Sequence, residues 1–552
     1  MLESADQGPD AQSARPSRPV AHTVEQLARL TGAQIVASPG ARETRVTGVV
    51  LNSRETQPGD LYAALPGAHV HGATFAADAA ASGALAILTD AAGAELVAQA
   101  GVELPVLVSA DPRAWTGRVA AEIYNSHPGD ASAQKLFAVT GTNGKTTTTY
   151  FVNSILRALG HSTGLIGTIE ILAGDTPIPS KLTTPEAPHV HSLLSLMRER
   201  GIDAAAMEVS SHALEFHRVD GVHYDVAGFT NLTQDHLDLH GSMEAYFEVK
   251  AQLFTAERTE RAVVLLTEGD TWGEAMARRA RENLGAEHVT SVALRGNIGD
   301  DAHAGPDRSG ADWTLDSLTR RGIGHAFTLQ HRDGRKLSVS TALPGDFNVA
   351  NAALAVLMVL DSGVELDTLQ KTLDDHDPLT TDVPGRMQLI GTRPTSVVDF
   401  AHNPDAMARA LQSVEPTEDG GRTIIVFGAT GRRDKTKRPI MGRIAAEGAD
   451  IVIITDDDPH DEDPAPIREQ VAQGARAAQE HGARAAEVHV IAPREVAIHT
   501  AVRLSRPEDS IIVAGRGHET FQDLNGVAHP LDDRVELRAA LDALHSSRKE
   551  QS

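Results

Sequence analysis

The feature that most restricts this chain is the stretch Thr140-Gly141-Thr142-Asn143-Gly144-Lys145-Thr146-Thr147 and the segments on either side of it. Before it stands the apolar, strand-like run Leu136-Phe137-Ala138-Val139. After it comes a helix-like stretch carrying Tyr150-Phe151-Val152 and Ile155-Leu156. A strand that turns through a glycine-rich loop into a helix is the context of a phosphate-binding loop. Glycines let backbone N–H groups approach phosphate oxygens, and the N-terminus of the helix favours negative charge. In that reading Gly141, Thr142, Asn143 and Gly144 form the cradle, with Thr147 beginning the helix behind it. Lys145 reaches the β- and γ-phosphates, and the Thr146 hydroxyl holds Mg²⁺. Val139 stands where the usual pattern places its first glycine, so the loop is shorter than normal. Taken alone, the motif does not separate a kinase from an ATPase or a ligase.

With 552 residues, the chain exceeds one ordinary domain. Short β-branched runs alternate with helical stretches in three segments, which implies βαβ units and mostly parallel sheets, an α/β fold. The segments are 20–133, with runs at Val46–Val50 and Ala86–Leu88; 134–383, with a loop-forming stretch at Gly296–Gly310; and 384–552. The runs of the third are Ser396–Val398, Thr423–Phe427, Ile451–Ile454 and Ser510–Val513. Residues 1–19 are polar and rich in Pro and Ser and read as a disordered tail. Ser126–Asp130 reads as a linker.

The tail has no apolar core of the kind a secretion signal needs, and no uncharged apolar run is long enough to span a membrane. The absence of cysteine excludes disulfides and fits a reducing cytoplasm. A net charge of −25 argues against nucleic acid as a partner, so any nucleotide must be held by local devices.

Further motifs follow in order. They are Leu182-Thr183-Thr184-Pro185, Met207-Glu208-Val209-Ser210-Ser211-His212, Asn231 through Asp238, and Tyr246-Phe247-Glu248-Val249-Lys250. Later come Gly345 through Asn351, Pro384-Gly385-Arg386-Met387, Asp399 through Asp405, Asp434 through Pro439, and Ala514-Gly515-Arg516-Gly517-His518-Glu519. Together they resemble the UDP-N-acetylmuramoyl-tripeptide synthetases of the Mur ligase family, across nearly the whole chain after Val20. The resemblance implies three domains: a UDP-binding α/β domain, a central P-loop ATPase domain with a parallel sheet, and a C-terminal Rossmann-like domain. It also implies a monomer that uses ATP and Mg²⁺ to add a diamino acid to UDP-N-acetylmuramoyl-L-alanyl-D-glutamate. A folylpolyglutamate synthase-like ligase is the more distant alternative; Asn52-Ser53-Arg54 and Ser210-Ser211-His212 count against it.

The implied chemistry phosphorylates a carboxylate and then lets an amine attack the acyl phosphate. Two anions must be brought together, so cations are required. By resemblance Lys145 is catalytic, and the metal ligands are Thr146, Glu208, His236 and a carbamate formed from CO₂ on Lys250. A lysine in a helical stretch is ordinarily a solvated charge; carbamylation needs a deprotonated amine, which burial supplies. Asn348 and Asn351 match adenine-side residues, and Arg386, Asp399 and His402 come from the third domain to the nucleotide. Asn52, Ser53, Arg54 and His69 match uridine-diphosphate contacts. Thr183, Thr184, Ser210 and Arg218 match contacts to the muramoyl dipeptide, with Phe216 replacing a glutamine found in several relatives.

For the incoming amino acid, the matching residues are Arg438, Asp457, Asp458, His460, Gly515 and Glu519. Relatives that add meso-diaminopimelate carry Asp-Asn-Pro-Arg where this chain reads Asp457-Asp458-Pro459-His460. The arginine fork that pairs with a distal carboxylate is absent, and an extra carboxylate stands beside it. An acidic pocket suits a side-chain ammonium, so L-lysine is expected, with L-ornithine and meso-diaminopimelate as alternatives.

Overall fold

The structure is a computed structural model and describes residues 15–36, 39–126, 134–179, 182–267, 271–294, 310–432 and 434–551. Three large sheets organise the described residues, spanning 34–108, 135–341 and 388–514, with two further two-stranded pairs. The first has five strands in the order Gln34–Val36, Val106–Val108, Ala86–Thr89, Asp60–Ala63 and Gly48–Val50, parallel except for the edge strand Gln34–Val36.

The central sheet has eleven strands. Lys135–Thr140 lies between Ala204–Glu208 and Tyr224–Phe229, parallel to both. Alternation along this strand fixes its two faces. Phe137 and Val139 pack under the helices Lys145–Ala158 and Asp346–Asp361. Ala138 faces the opposite layer, with the helices Ala187–Glu199, Met243–Ala251 and Thr271–Leu284. The parallel strands around Lys135–Thr140 are buried on both faces, which is why they read as continuous apolar runs. Beyond Val289–Ala293 it continues into an antiparallel meander, Trp313–Arg321, Gly324–His331 and Lys336–Thr341, which the sequence reading did not foresee.

The third sheet runs Gln388–Thr392, Thr395–Asp399, Ser510–Ala514, Thr423–Phe427, Ile451–Ile454 and Glu487–Val490. Its last five strands are parallel, and each expected apolar run is a fully buried strand core. A fully buried ion pair, Arg494–Asp533 at 2.7 Å, fastens its two terminal helices, Arg494–Leu504 and Asp533–Gln551.

Two expectations differ or fall elsewhere. Residues 15–19, read as part of a disordered tail, are packed: Arg15 pairs with buried Asp60 at 2.6 Å, and the Ser17 and Arg18 amides donate to Glu199 of the central domain. Residues 1–14 of that tail, the linker residues 127–130 and most of the 296–310 loop lie outside the described residues. Among the described residues no helix is long and apolar enough to cross a membrane.

Candidate active site

Strand Lys135–Thr140 ends at the glycine loop, as the sequence required. Gly141 has φ 145°, and a Cβ there would lie 1.9 Å from the Thr230 hydroxyl; Gly144 has φ 92°, and a Cβ would lie 2.3 Å from Asn351 Oδ1. Only glycine fits either position. Neighbouring strand ends brace the loop: the Thr142 amide donates to the Asn231 carbonyl at 2.9 Å, and the Asn143 amide to Asn231 Oδ1 at 3.1 Å. No side chain caps the helix that begins at Lys145, so its N-terminus presents bare N–H groups to an anion. Lys145 Nζ donates to the carbonyls of Gly141 and Thr142. Burial lowers its pKa, against the opposing pull of Glu208 and Asp235.

Glu208 is the last residue of its strand and almost fully buried. The Thr146 hydroxyl donates to Glu208 Oε2 at 3.0 Å, and Arg386 Nη2 of the third domain donates to the same hydroxyl at 3.3 Å. A hydroxyl and a carboxylate oxygen at this spacing are hard donors suited to Mg²⁺. Lys250, 1% exposed, donates to the Gly141 carbonyl at 2.8 Å, and its Nζ lies 4.6 Å from the Tyr246 ring centre. Burial, then the nearby Lys145 charge, holds its pKa well below the usual lysine range. A neutral amine of this kind is what a reaction with CO₂ requires. His236 packs edge-on against His212, with ring centres 4.9 Å apart, and meets Tyr246 from the side. Thr146 and Glu208 are thus in direct contact, whereas Lys250 and His236 flank Tyr246.

A cavity of about 860 Å³ opens beside the loop. The central domain contributes Asn143, Gly144, Thr147, Asn348 and Asn351; the third contributes Arg386, Asp399 and His402. Asn348 and Asn351 do not cap their helix, whose N-cap is Gly345; Asn348 Nδ2 instead donates to the Pro344 carbonyl, and Asn351 Nδ2 to Asn348 Oδ1. The Arg386 guanidinium lies over the Phe400 ring at 4.2 Å. Burial raises the Asp399 pKa, and Arg386 with the Met387 and Ala401 amides partly counters it. Burial likewise lowers the His402 pKa, which favours the neutral ring.

Behind Glu208 lie the residues matched to the dipeptide. The Thr184 hydroxyl donates to the Glu208 carbonyl at 2.8 Å and meets Ser210 Oγ at 3.4 Å. Arg218 donates to the Thr184 carbonyl and pairs with Glu186 at 2.9 Å. Thr183 Oγ1 lies 3.1 Å from Thr168 Oγ1. Phe216 stands under the Arg218 guanidinium at 5.9 Å. In the first domain the Asn52 side chain caps the turn Ser53–Glu55, and buried Ser53 fixes it; Arg54 and His69 stand exposed on loops that follow adjacent parallel strands.

The third domain builds a second acidic site at its strand ends. Asp457, Asp458 and Glu519 converge, each offering an oxygen within 4.8 Å of the others. Arg516 pairs with Asp458 and lies 3.6 Å from Glu519, so two of the three carboxylates share one guanidinium. Burial, then the charges of Asp457 and Asp458, pushes the Glu519 carboxyl up to about 7. Gly515 has φ 113°, and a Cβ there would meet the Asp457 carboxylate at 2.7 Å. His460 is turned away to a β-hairpin, its Nδ1 2.9 Å from Asp523. Arg438 is buried against Glu462, Gln470 and the Thr430 carbonyl.

Comparison with known proteins agrees with this architecture. Residues 45–124 match the Mur ligase family catalytic domain, 139–359 the Mur ligase middle domain, and 385–517 the Mur ligase glutamate ligase domain. The chain is 42% identical, over 97% of its length and 98% of the relative's, to a UDP-N-acetylmuramyl-tripeptide synthetase of Leifsonia xyli subsp. xyli. This protein belongs to the Mur ligase family. A Streptomyces avermitilis relative named UDP-N-acetylmuramoyl-L-alanyl-D-glutamate–2,6-diaminopimelate ligase is also 42% identical, over 95% of this chain and 98% of its own. A solved structure of a ligase with that name superposes with TM-score 0.63 at 30% identity, covering 95% of this chain and 100% of the other.

Several residues of this Mur ligase site carried no role in the sequence reading. Asn403 and Asp405 grip the Asn143 side chain across the domain boundary at 3.4 and 3.2 Å. Thr168 binds both oxygens of Glu208. Asn403 and Asp405 lay within a quoted motif, but Thr168 lies in Gly167-Thr168-Ile169, which has no composition to mark it.

Proposed function

We propose that this Mur ligase chain joins L-lysine to UDP-N-acetylmuramoyl-L-alanyl-D-glutamate, converting ATP to ADP and phosphate through an acyl-phosphate intermediate. The observation that carries the ligase reading is the meeting of Thr146 and Glu208 of the central domain with Arg386 of the third, at the end of the glycine loop to which Lys145 is bonded. Two anions, the γ-phosphate and the dipeptide carboxylate, would meet there, and Lys145 and Arg386 supply fixed positive charge to both. Thr146 and Glu208 would hold one Mg²⁺, and His236 with carbamylated Lys250 a second; such metal ions would supply positive charge to offset that of the transferring phosphoryl group. Docking of the third domain excludes water from the acyl phosphate, which hydrolysis would otherwise consume. Such a reaction belongs in the cytoplasm, where ATP is available.

The choice of L-lysine rests on charge. Asp457, Asp458 and Glu519 outnumber Arg516, and a side-chain ammonium restores balance. The relative from Streptomyces avermitilis is named for 2,6-diaminopimelate. That substrate brings a distal carboxylate beside Asp458, where His460, held by Asp523, offers no fork to receive it. Phosphate release from ATP tests the ligase reading. It is expected only with UDP-muramoyl dipeptide, amino acid and Mg²⁺ together; equal release without the amino acid would make the protein a simple ATPase.

A further inference from the structure

Residues 15–20 cross from the first domain to the central domain and back. The Arg15 guanidinium meets Asp60 as a fork: Nη1 donates to Oδ1 at 2.6 Å and Nη2 to Oδ2 at 2.9 Å. The Ser17 amide and hydroxyl donate to Glu199 Oε2, and the Arg18 amide to Oε1, so one central-domain carboxylate takes three hydrogen bonds. The Val20 amide then donates to the Ile123 carbonyl at 2.7 Å, near the end of the first-domain helix Pro112–Tyr124.

The fork is built in. Asp60 is 1% exposed, and Gly48 makes room for the pair: a Cβ there would lie 2.1 Å from Asp60 Oδ1 and 3.0 Å from Arg15 Nη1. Asp60 Oδ2 also accepts from the Gln57 amide at 2.8 Å, and Arg15 Nη2 reaches the Glu55 carbonyl at 3.4 Å. Arg15 therefore grips the C-terminal side of the turn Ser53–Glu55 both directly and through Asp60. Bonds within the turn are local: Asn52 Oδ1 accepts from the Arg54 amide at 3.1 Å, and Asn52 Nδ2 donates to Glu55 Oε1 at 2.9 Å. A binding turn keeps its shape only as well as the side chains around it support it.

Docking of the two domains has other supports. Gly117 of the helix Pro112–Tyr124 lies so close to the central domain that a Cβ would come 2.2 Å from the Asp220 carbonyl. Ser126 Oγ lies 2.7 Å from His191 Nδ1. What Arg15 adds is a hold on the turn from outside it.

Resting on the ligase reading above, with Asn52, Ser53 and Arg54 as contacts to uridine diphosphate, we propose that Arg15 is a positioning residue for the uridine nucleotide. Its fork to Asp60 and its reach to Glu55 hold the turn in the shape that receives that nucleotide. Arg15 acts through Asp60 and the Glu55 carbonyl, and it is not among the residues that line the cavity beside the glycine loop. Its loss should weaken the uridine end of the substrate and spare ATP.

The test uses the full chain, with calorimetric binding of UDP as a readout independent of turnover and initial rates beside it. Arg15→Met keeps the length and removes the fork. The Kd for UDP is expected to rise about tenfold, the usual effect of losing a hydrogen bond to a charged group. KM for UDP-N-acetylmuramoyl-L-alanyl-D-glutamate should rise by a similar factor, with kcat and the KM for ATP within about twofold of wild type. Arg15→Lys keeps the charge but not the fork, and should fall between the two. Because Arg15→Met leaves Asp60 buried without its partner, the double change Arg15→Met plus Asp60→Asn removes that charge and should show the same loss. Wild-type UDP affinity in the single variant, or in the double should the single fail to fold, overturns the proposal. So does a fall in kcat or ATP affinity as large as the rise in KM, which would mark general damage. A wild type that binds no UDP overturns both the proposal and the reading of the turn. The expected loss of UDP affinity in a protein that forms no peptide product would overturn the ligase reading and leave the role of Arg15 standing.

Discussion

Glu519→Gln perturbs the proposed amino-acid pocket at a carboxyl pushed well above its usual range. Burial and the neighbouring Asp457 and Asp458 push Glu519 up to about 7, against an ordinary value of 4.5. A bound ammonium favours the ionised carboxylate, so affinity for L-lysine should be lost as pH falls through 7. With a midpoint there, about one tenth of Glu519 is ionised at pH 6 and about nine tenths at pH 8. The ratio of kcat/KM for L-lysine between wild type and Glu519→Gln should therefore rise about tenfold from pH 6 to pH 8. Taking the ratio removes the titration of the attacking amine, which both proteins share. The sign for stability is opposite. A carboxyl with a raised pKa contributes stability below its unfolded value and loses it as pH rises through the folded one. Free wild-type protein should thus lose more thermal stability between pH 6 and 8 than Glu519→Gln, and saturating L-lysine should reduce the difference. The assays are initial rates of phosphate release and differential scanning fluorimetry at matched ionic strength. A kcat/KM ratio that stays flat with pH would refute the assignment of Glu519 to a cationic side chain.

Other perturbations probe the remaining parts. Lys250→Ala should lose nearly all turnover, with partial rescue by short carboxylic acids that replace the carbamate; near wild-type rates would rule out a metal role for Lys250. The double change Asp458→Asn plus His460→Arg removes a carboxylate and adds a fork, and should shift the kcat/KM preference toward meso-diaminopimelate. Should the preference stay unchanged, specificity lies outside the Asp457–His460 turn. Arg494→Ala leaves Asp533 as an unpaired buried charge and should cost about 3–5 kcal/mol in denaturant unfolding of the third domain; a cost below about 1 kcal/mol would show that water reaches Asp533.

The sequence revealed most where residue type and backbone demand coincide. Gly141 and Gly144 are forced by close approach to Thr230 and Asn351, and Lys145 and Thr146 follow at fixed spacing, so the loop was legible without any coordinates. The apolar runs of the third domain were legible for a similar reason, since parallel strands buried on both faces leave no alternation to confuse. The antiparallel meander from Trp313 to Thr341 was not. Its strands are half exposed and mix Arg, Thr and Ser with few bulky residues, so no apolar run marks them. Arg15 looked like part of a polar tail because its partner, Asp60, stands 45 residues away. Thr168 was invisible for the same reason: its importance comes from Glu208, which is distant in sequence. His460 showed the opposite limit. The residue type at 460 is plain in the sequence, but its engagement with Asp523 across a hairpin could not be read from the loop itself.

The most direct test of the central claim is the product itself. Purified protein incubated with UDP-N-acetylmuramoyl-L-alanyl-D-glutamate, ATP, Mg²⁺ and equimolar L-lysine, L-ornithine and meso-diaminopimelate is analysed by mass spectrometry of the nucleotide-linked peptides. The expected outcome is one dominant product, the L-lysine adduct, formed with one ADP per peptide bond. A dominant meso-diaminopimelate adduct would contradict the charge-based reading of the Asp457–His460 turn and Glu519, and ADP with no peptide adduct would contradict the ligase assignment as a whole.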